Sequence, residues 1–278
     1  MIFSANSTGL PLDERADWLA RQVAAGSTHI VMMPGSGAPG YPGLVPPAML
    51  IDKPAQFREQ VDEVLHTSGA TGEACVPVIF LDEGGANPRE RIDRFWGPLL
   101  DGLQDVLDQC LIVPGWELVA ASEWTSADLS YALGRLHGWG VPHLWVHLSS
   151  GRWAMSSNPV EPDDPWQGAE ADCWNTHGGE FVEGFLYQSP AIRDGDQADC
   201  DPADDRCWLN RLDDGLVRMG TGLNGWRVMP ICYFEGPAYW YTRGQCSDAQ
   251  VHAAADAAQA RARHFGLTIG FGNGQPSA

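Results

Sequence analysis

Long apolar runs are missing from this chain. No stretch approaches the roughly 20 residues of a membrane span, so no bilayer crossing is expected. The opening, Met1-Ile-Phe-Ser-Ala-Asn6, has neither a basic region nor a long apolar core, so it does not read as a signal peptide. Positive charge is also scarce: 17 Lys and Arg stand against 36 Asp and Glu, a formal net charge of −19. Such a field repels phosphate backbones and anionic lipid, which argues against nucleic acid and membrane as general partners. It suits a soluble protein that handles neutral or cationic ligands, and the compartment is left open.

The cysteines are few and scattered. None of the seven forms a CxxC pair or a Cys/His cluster, so no zinc site is expected. Cys75, Cys110 and Cys232 lie in or beside apolar runs and read as buried thiols, whereas Cys200 and Cys207 bracket an Asp-rich loop and are placed for a local disulfide. No cofactor is expected either. Gly35-Ser-Gly-Ala-Pro-Gly40 has the spacing of a dinucleotide loop, but Pro39 and the Pro-rich continuation prevent a helix from opening there. His143 and His147 stand four apart on a strand, roughly 13 Å by strand rise, too far to share a metal. No H-x-H ends the first strand, against a metal-dependent amidohydrolase. The Asp-rich loop from Asp194 to Asp205 lacks the position-twelve Glu of a calcium hand and reads as solvated.

What is present is alternation. The 44% apolar content supports a large core, and 278 residues suit one α/β barrel. Strands are expected at Ile2 to Ala5, His29 to Met33, Cys75 to Leu81, Cys110 to Glu117, His143 to Leu148, Phe181 to Tyr187, Val228 to Phe234 and Leu267 to Phe271. Helices are expected at Leu12 to Ala25, Pro54 to about Thr67, Pro88 to about Leu107, Thr125 to Trp139, within Ala203 to Met219, and from Ser247 to about Phe265, with a short piece near Gln167 to Thr176. Pro54 suits a first turn, and Thr125 with Asp128 resembles a capping box. Strict alternation of eight strands with helices points to a single parallel (β/α)8 barrel over 1–278, with long loops at about 34–53, 149–180 and 189–203. A doubly wound open sheet is the competitor. No eighth helix follows the last strand. The edge between first and last strands is therefore expected to be covered by loops, a protein partner or a larger assembly.

In such barrels the chemistry sits at the C-terminal strand ends. There stand Asp82 and Glu83 on the third strand, Glu117 on the fourth, His147 on the fifth, Gln188 just past the sixth and Glu235 on the seventh. Two carboxylates facing each other across one mouth are the apparatus of glycoside hydrolysis. The catalytic candidates are Glu117 and Glu235, with Asp82 and Glu123 as alternates. The chain has 12 Trp, and those on loops offer flat platforms for sugar rings. Trp116, Trp124, Trp153, Trp166, Tyr239 and Trp240 are the binding candidates, with His147, His177 and Gln188 to hydrogen-bond hydroxyls. Each has a plainer reading: a packed aromatic, a structural histidine, or a carboxylate paired with an arginine such as Arg152 or Arg243.

This arrangement resembles the clan-A type of retaining glycoside hydrolases, built on (β/α)8 barrels. There the acid/base glutamate ends strand four and the nucleophile ends strand seven. Trp116-Glu117 and Phe234-Glu235-Gly236 occupy the matching places, so the resemblance implies Glu117 as acid/base and Glu235 as nucleophile. Asn usually precedes the clan's acid/base, whereas Trp116 stands here; Glu123, in Ala-Ser-Glu-Trp124, is the substitute. Ser157-Asn-Pro-Val-Glu-Pro-Asp-Asp-Pro-Trp-Gln-Gly168 and His177-Gly-Gly-Glu-Phe181 are similar to stretches of uncharacterised tailed-phage proteins. Two functions are therefore expected: a retaining glycosidase on a carbohydrate substrate, or a non-catalytic carbohydrate-binding or structural barrel module, as in a phage virion.

Overall fold

The computed structural model describes residues 3–4, 12–24, 27–34, 50–69, 72–82, 86–115, 118, 124–148, 182–189, 227–234, 260 and 270–273. In chain order the elements are β1 (Phe3–Ser4), α1 (Leu12–Ala24), β2 (His29–Met32), α2 (Pro54–His66), β3 (Val76–Asp82), α3 (Pro88–Arg91), a π turn (Ile92–Trp96), α4 (Gly97–Asp101), a 3-10 turn (Leu107–Gln109), β4 (Leu111–Gly115), α5 (Ser126–Gly138), β5 (Trp145–Leu148), β6 (Gly184–Ser189), β7 (Arg227–Phe234) and β8 (Gly270–Asn273). They fall into two compact units, one of Asn6–His147 with Pro162–Glu183, the other of Met1–Ala5, Leu148–Glu161 and Gly184–Ala278.

In the first unit β2 pairs with β3 and β3 with β4, all parallel, with Val31 opposite Val78 and Phe80 opposite Val113. Beyond β4, a parallel bridge joins Ile112 to Leu144, and the Ile112 amide donates to the His143 carbonyl at 2.9 Å. All of β2 is buried, and β3 and β4 are buried after their first residues. Continuous apolar runs of this kind mark parallel strands covered on both faces. The cover includes α2, which starts on Pro54 and buries Phe57, Gln60, Val61 and Val64 at helical spacing. A two-pronged ion pair from buried Arg15 of α1 to Glu63 ties α1 to α2. Burying a side chain the size of Phe57 contributes ~1.5–3 kcal/mol. Cys75 and Cys110 are free and buried, and burial pushes the Cys110 thiol up to about 12. Among the described residues no helix is long and apolar enough to cross a membrane.

The second unit holds the other parallel set. β6 pairs with β7 from Gly184 opposite Arg227 to Ser189 opposite Cys232, and β7 pairs with β8 from Ile231 opposite Gly270 to Phe234 opposite Asn273. β8 in turn pairs with β1, Phe3 opposite Gly272 and Ser4 opposite Asn273, so the first and last strands are neighbours.

Several expected boundaries are corrected. The helix expected unbroken from Pro88 to Leu107 is α3, then the π turn, then α4. Pro98 explains the break: it has no amide to donate and its ring crowds the carbonyl four residues back, so the winding loosens just before it. β4 is described to Gly115, and its expected continuation to Glu117 lies outside the described residues. β6 runs to Ser189, so Gln188 lies within the strand, opposite Ile231, and not past it. β8 is described from Gly270 and runs to Asn273, past the expected end at Phe271, while the expected start at Leu267 lies outside the described residues. Ala260 is helical, inside the helix expected from Ser247. The helices expected at Gln167 to Thr176 and within Ala203 to Met219 lie outside the described residues.

Candidate active site

Asp82, the last residue of β3, is fully buried and sits opposite Gly115, the last of β4. Paired residues of neighbouring parallel strands project to one face, and every second residue returns to it. Phe80, Asp82, Val113 and Gly115 therefore share a face. The ring of His147, on β5, meets Phe80 edge-on, centroids 5.7 Å apart at 69°, which brings a third strand to the same face. His147 is buried, and burial pushes its imidazole down to about 3, so it is neutral at ordinary pH.

Arg91 closes on Asp82 with two prongs. Its Nε donates to Oδ2 at 2.9 Å and its Nη2 to Oδ1 at 2.7 Å. This fork geometry is directional as well as charged. Just before α3, Asn87 takes a left-handed φ of 58°, a conformation that Asn tolerates.

Gly115 marks a close approach. A Cβ there would lie 2.2 Å from the Asp82 carbonyl oxygen and 2.7 Å from Cδ2 of Leu118, which is itself buried. Only a residue without a side chain fits, as glycine at a strand end often signals. Farther on, Trp124 is buried and stacks on Trp96 of the π turn, centroids 5.8 Å apart and rings inclined by 18°. The next residue, Thr125, caps α5: its hydroxyl accepts from the Asp128 amide at 3.3 Å while the Asp128 carboxylate accepts from the Thr125 amide at 3.1 Å.

Of the residues singled out from sequence, the structure thus brings Asp82 and His147 onto one face and buries Trp124 against Trp96. Gln188 is placed by its backbone in β6. Trp116, Glu117, Glu123, Trp153, Trp166, His177, Glu235, Tyr239 and Trp240 lie outside the described residues. Sequence reading missed Arg91, Trp96 and Leu118. Gly115, at the close of an apolar run, carried a readable signal of close backbone approach; Arg91 and Trp96 carried none.

No protein-family model matches the sequence, and no curated protein matches it. Solved structures do resemble the fold. A β-mannanase of Thermomonospora fusca, in complexes with mannotriose and with mannohexaose, superposes with a TM-score of 0.57 at 14% identity, over 100% of this chain and 79% of that one. A family 5 xyloglucanase of Paenibacillus pabuli gives 0.52 at 12% identity, over 99% of this chain and 90% of that one. At these identities the likeness shows fold alone: the parallel α/β architecture described above is similar to that of these barrel glycosidases.

Proposed function

We propose that this chain closes into a full (β/α)8 barrel and cleaves a glycosidic bond by a retaining, two-carboxylate mechanism. The observation that carries the reading is the placement of strand ends. β4 is described to Gly115 and β7 to Phe234, each within its own parallel set, so in the sequence Glu117 and Glu235 come just after the described C-terminal ends of strands. The β1–β8 pairing supports ring closure, because an open doubly wound sheet does not join its first strand to its last.

In this mechanism a Glu235 oxygen attacks the anomeric carbon while Glu117 gives its proton to the glycosidic oxygen, and the bond to the leaving sugar breaks. Glu117, now ionised, takes a proton from water; the water oxygen displaces Glu235 and both carboxyls return to their starting states. The geometry needs the two carboxyls roughly 5–5.5 Å apart. Glu123 is the alternate acid/base. Asp82 is the weaker candidate, because both its oxygens already accept from Arg91. Trp116, Trp153, Trp166, Tyr239 and Trp240 would form the sugar platforms, with His177 and Gln188 for hydroxyls. The net charge of −19 suits a neutral or cationic glycan.

Given the fold neighbours, β-mannan and xyloglucan are the first polymers to test, beside aryl-glycosides and bacterial polysaccharides. Wild type is expected to release reducing ends, and Glu117→Gln and Glu235→Gln to lose activity by at least ~10³-fold. Full turnover by Glu235→Gln would refute the nucleophile. Glycan binding without turnover in the wild type would instead mark a carbohydrate-binding or structural module.

A further inference from the structure

α1 buries one helical stripe: Arg15, Trp18, Leu19 and Gln22. Polar residues stand at both ends of it. Arg15 is matched by Glu63. Gln22 is not matched: it is fully buried, and neither its Nε2 nor its Oε1 has a hydrogen-bond partner among the described residues. The same holds for the hydroxyl of Ser27, also fully buried, just before β2.

The backbone sets these two residues side by side. The Ser27 amide donates to the Gln22 carbonyl, five residues back, at 3.0 Å. A bond of that span closes a helix C-terminus, and the side chains at its two ends frequently meet in an apolar contact. Here an amide and a hydroxyl take those places. They cannot satisfy each other, because the amide offers two donors and an acceptor oxygen while the hydroxyl has a single proton to give. Neighbouring chain seals the spot. The Ser27 carbonyl accepts from the buried Cys75 thiol at 3.9 Å, and the Thr28 carbonyl accepts from the Val76 amide at 2.9 Å.

We infer that Gln22 and Ser27 form a binding site for internal water between the end of α1 and the start of β2. Water brings the two donors and two acceptors that this set calls for, and buried water typically serves otherwise unmatched polar groups in this way. A charged ligand does not suit. Both side chains are neutral, and Arg15 stands roughly 10 Å away along the helix, already held by Glu63. The site lies at strand starts, whereas the proposed chemistry follows strand ends, so it does not depend on the glycosidase reading.

The test uses the full chain, crystallised at a resolution that shows ordered solvent, with water-to-amide NOE spectra in solution beside it. A water within hydrogen-bond distance of the Gln22 and Ser27 side chains is expected, with a long-lived water signal at the Ser27 amide. Urea unfolding adds an independent readout. Gln22→Met and Ser27→Ala are each expected to lower the folded-to-unfolded ratio roughly 5- to 30-fold, since each strips the water of a partner. The double variant should lose less than the two single losses combined, because no polar group is then left to serve. A dry contact between the two side chains would overturn the site. So would a Gln22→Met variant more stable than wild type, the result expected if the amide were merely stranded. Should Gln22→Met fail to fold, the wild-type solvent structure and Ser27→Ala decide.

Discussion

Gly115 and Leu118 compete for one volume: a Cβ on Gly115 would come 2.7 Å from Leu118 Cδ2, with the Asp82 carbonyl oxygen at 2.2 Å on the other side. A flexible side chain could swing away, but a strand carbonyl cannot. Gly115→Ala is therefore expected to destabilise the fold by about 1–3 kcal/mol, the usual cost of overpacking. The midpoint of urea unfolding would measure it. An unchanged midpoint would mean that the ends of β3 and β4 stand farther apart than described.

The Asp82–Arg91 pair gives a larger expected effect. Asp82 is fully buried, so removing its guanidinium leaves a carboxylate in a poorly solvated place. Arg91→Met should cost about 3–5 kcal/mol, whereas Asp82→Asn together with Arg91→Met should cost less than the two single changes summed. Equilibrium unfolding of the three variants completes the cycle, and strict additivity would show that the two groups do not interact.

Two buried histidines set a pH dependence with a definite sign. Burial lowers His147 to about 3 and His29 to about 4, against an ordinary 6.5. Below about pH 6.5 the unfolded chain takes up protons that the folded chain refuses. Stability is thus full above about pH 6.5 and declines as the pH falls toward 4 and then 3. Urea midpoints taken between about pH 7.5 and about pH 5 should drop for wild type and drop less for His147→Phe. A midpoint that rose on acidification would contradict the buried, neutral assignment.

At the start of α5, Thr125 and Asp128 cap the helix reciprocally. Thr125→Ala should cost about 0.5–2 kcal/mol, and Thr125→Ser should recover most of it, since either hydroxyl can accept from the Asp128 amide. Thermal unfolding of both variants against wild type is the check. Equal loss in Thr125→Ser would show that packing, not the cap, holds that turn.

Much of the framework was legible because its signals are local. The run from Val76 to Leu81 is apolar throughout because both faces are covered, and Thr125 with Asp128 announced the cap at helical spacing. Ends were less legible. β6 extends into Gln188 and Ser189, whose polar side chains do not prevent pairing with Ile231 and Cys232. The broken helix after β3 could have been anticipated from Pro98, whose missing amide interrupts the ladder. Within the site, the partner of Asp82 was not legible at all. Arg91 reaches it from α3, nine residues further along the chain, a tertiary fact that no spacing encodes. Trp124 read as a platform for sugar from its place on a polar loop, while the structure sets it flat on Trp96.

The central claim is that Glu235 becomes covalently linked to a sugar. Intact-mass measurement of the wild-type chain incubated with 2-deoxy-2-fluoro-β-mannosyl and β-glucosyl fluorides, followed by peptide mapping, tests it most directly. Slow hydrolysis of the fluorosugar should let a single glycosyl adduct accumulate, mapped to Glu235 and absent from Glu235→Gln. An adduct on another carboxylate, or no adduct from a protein that hydrolyses the parent glycosides, would contradict it.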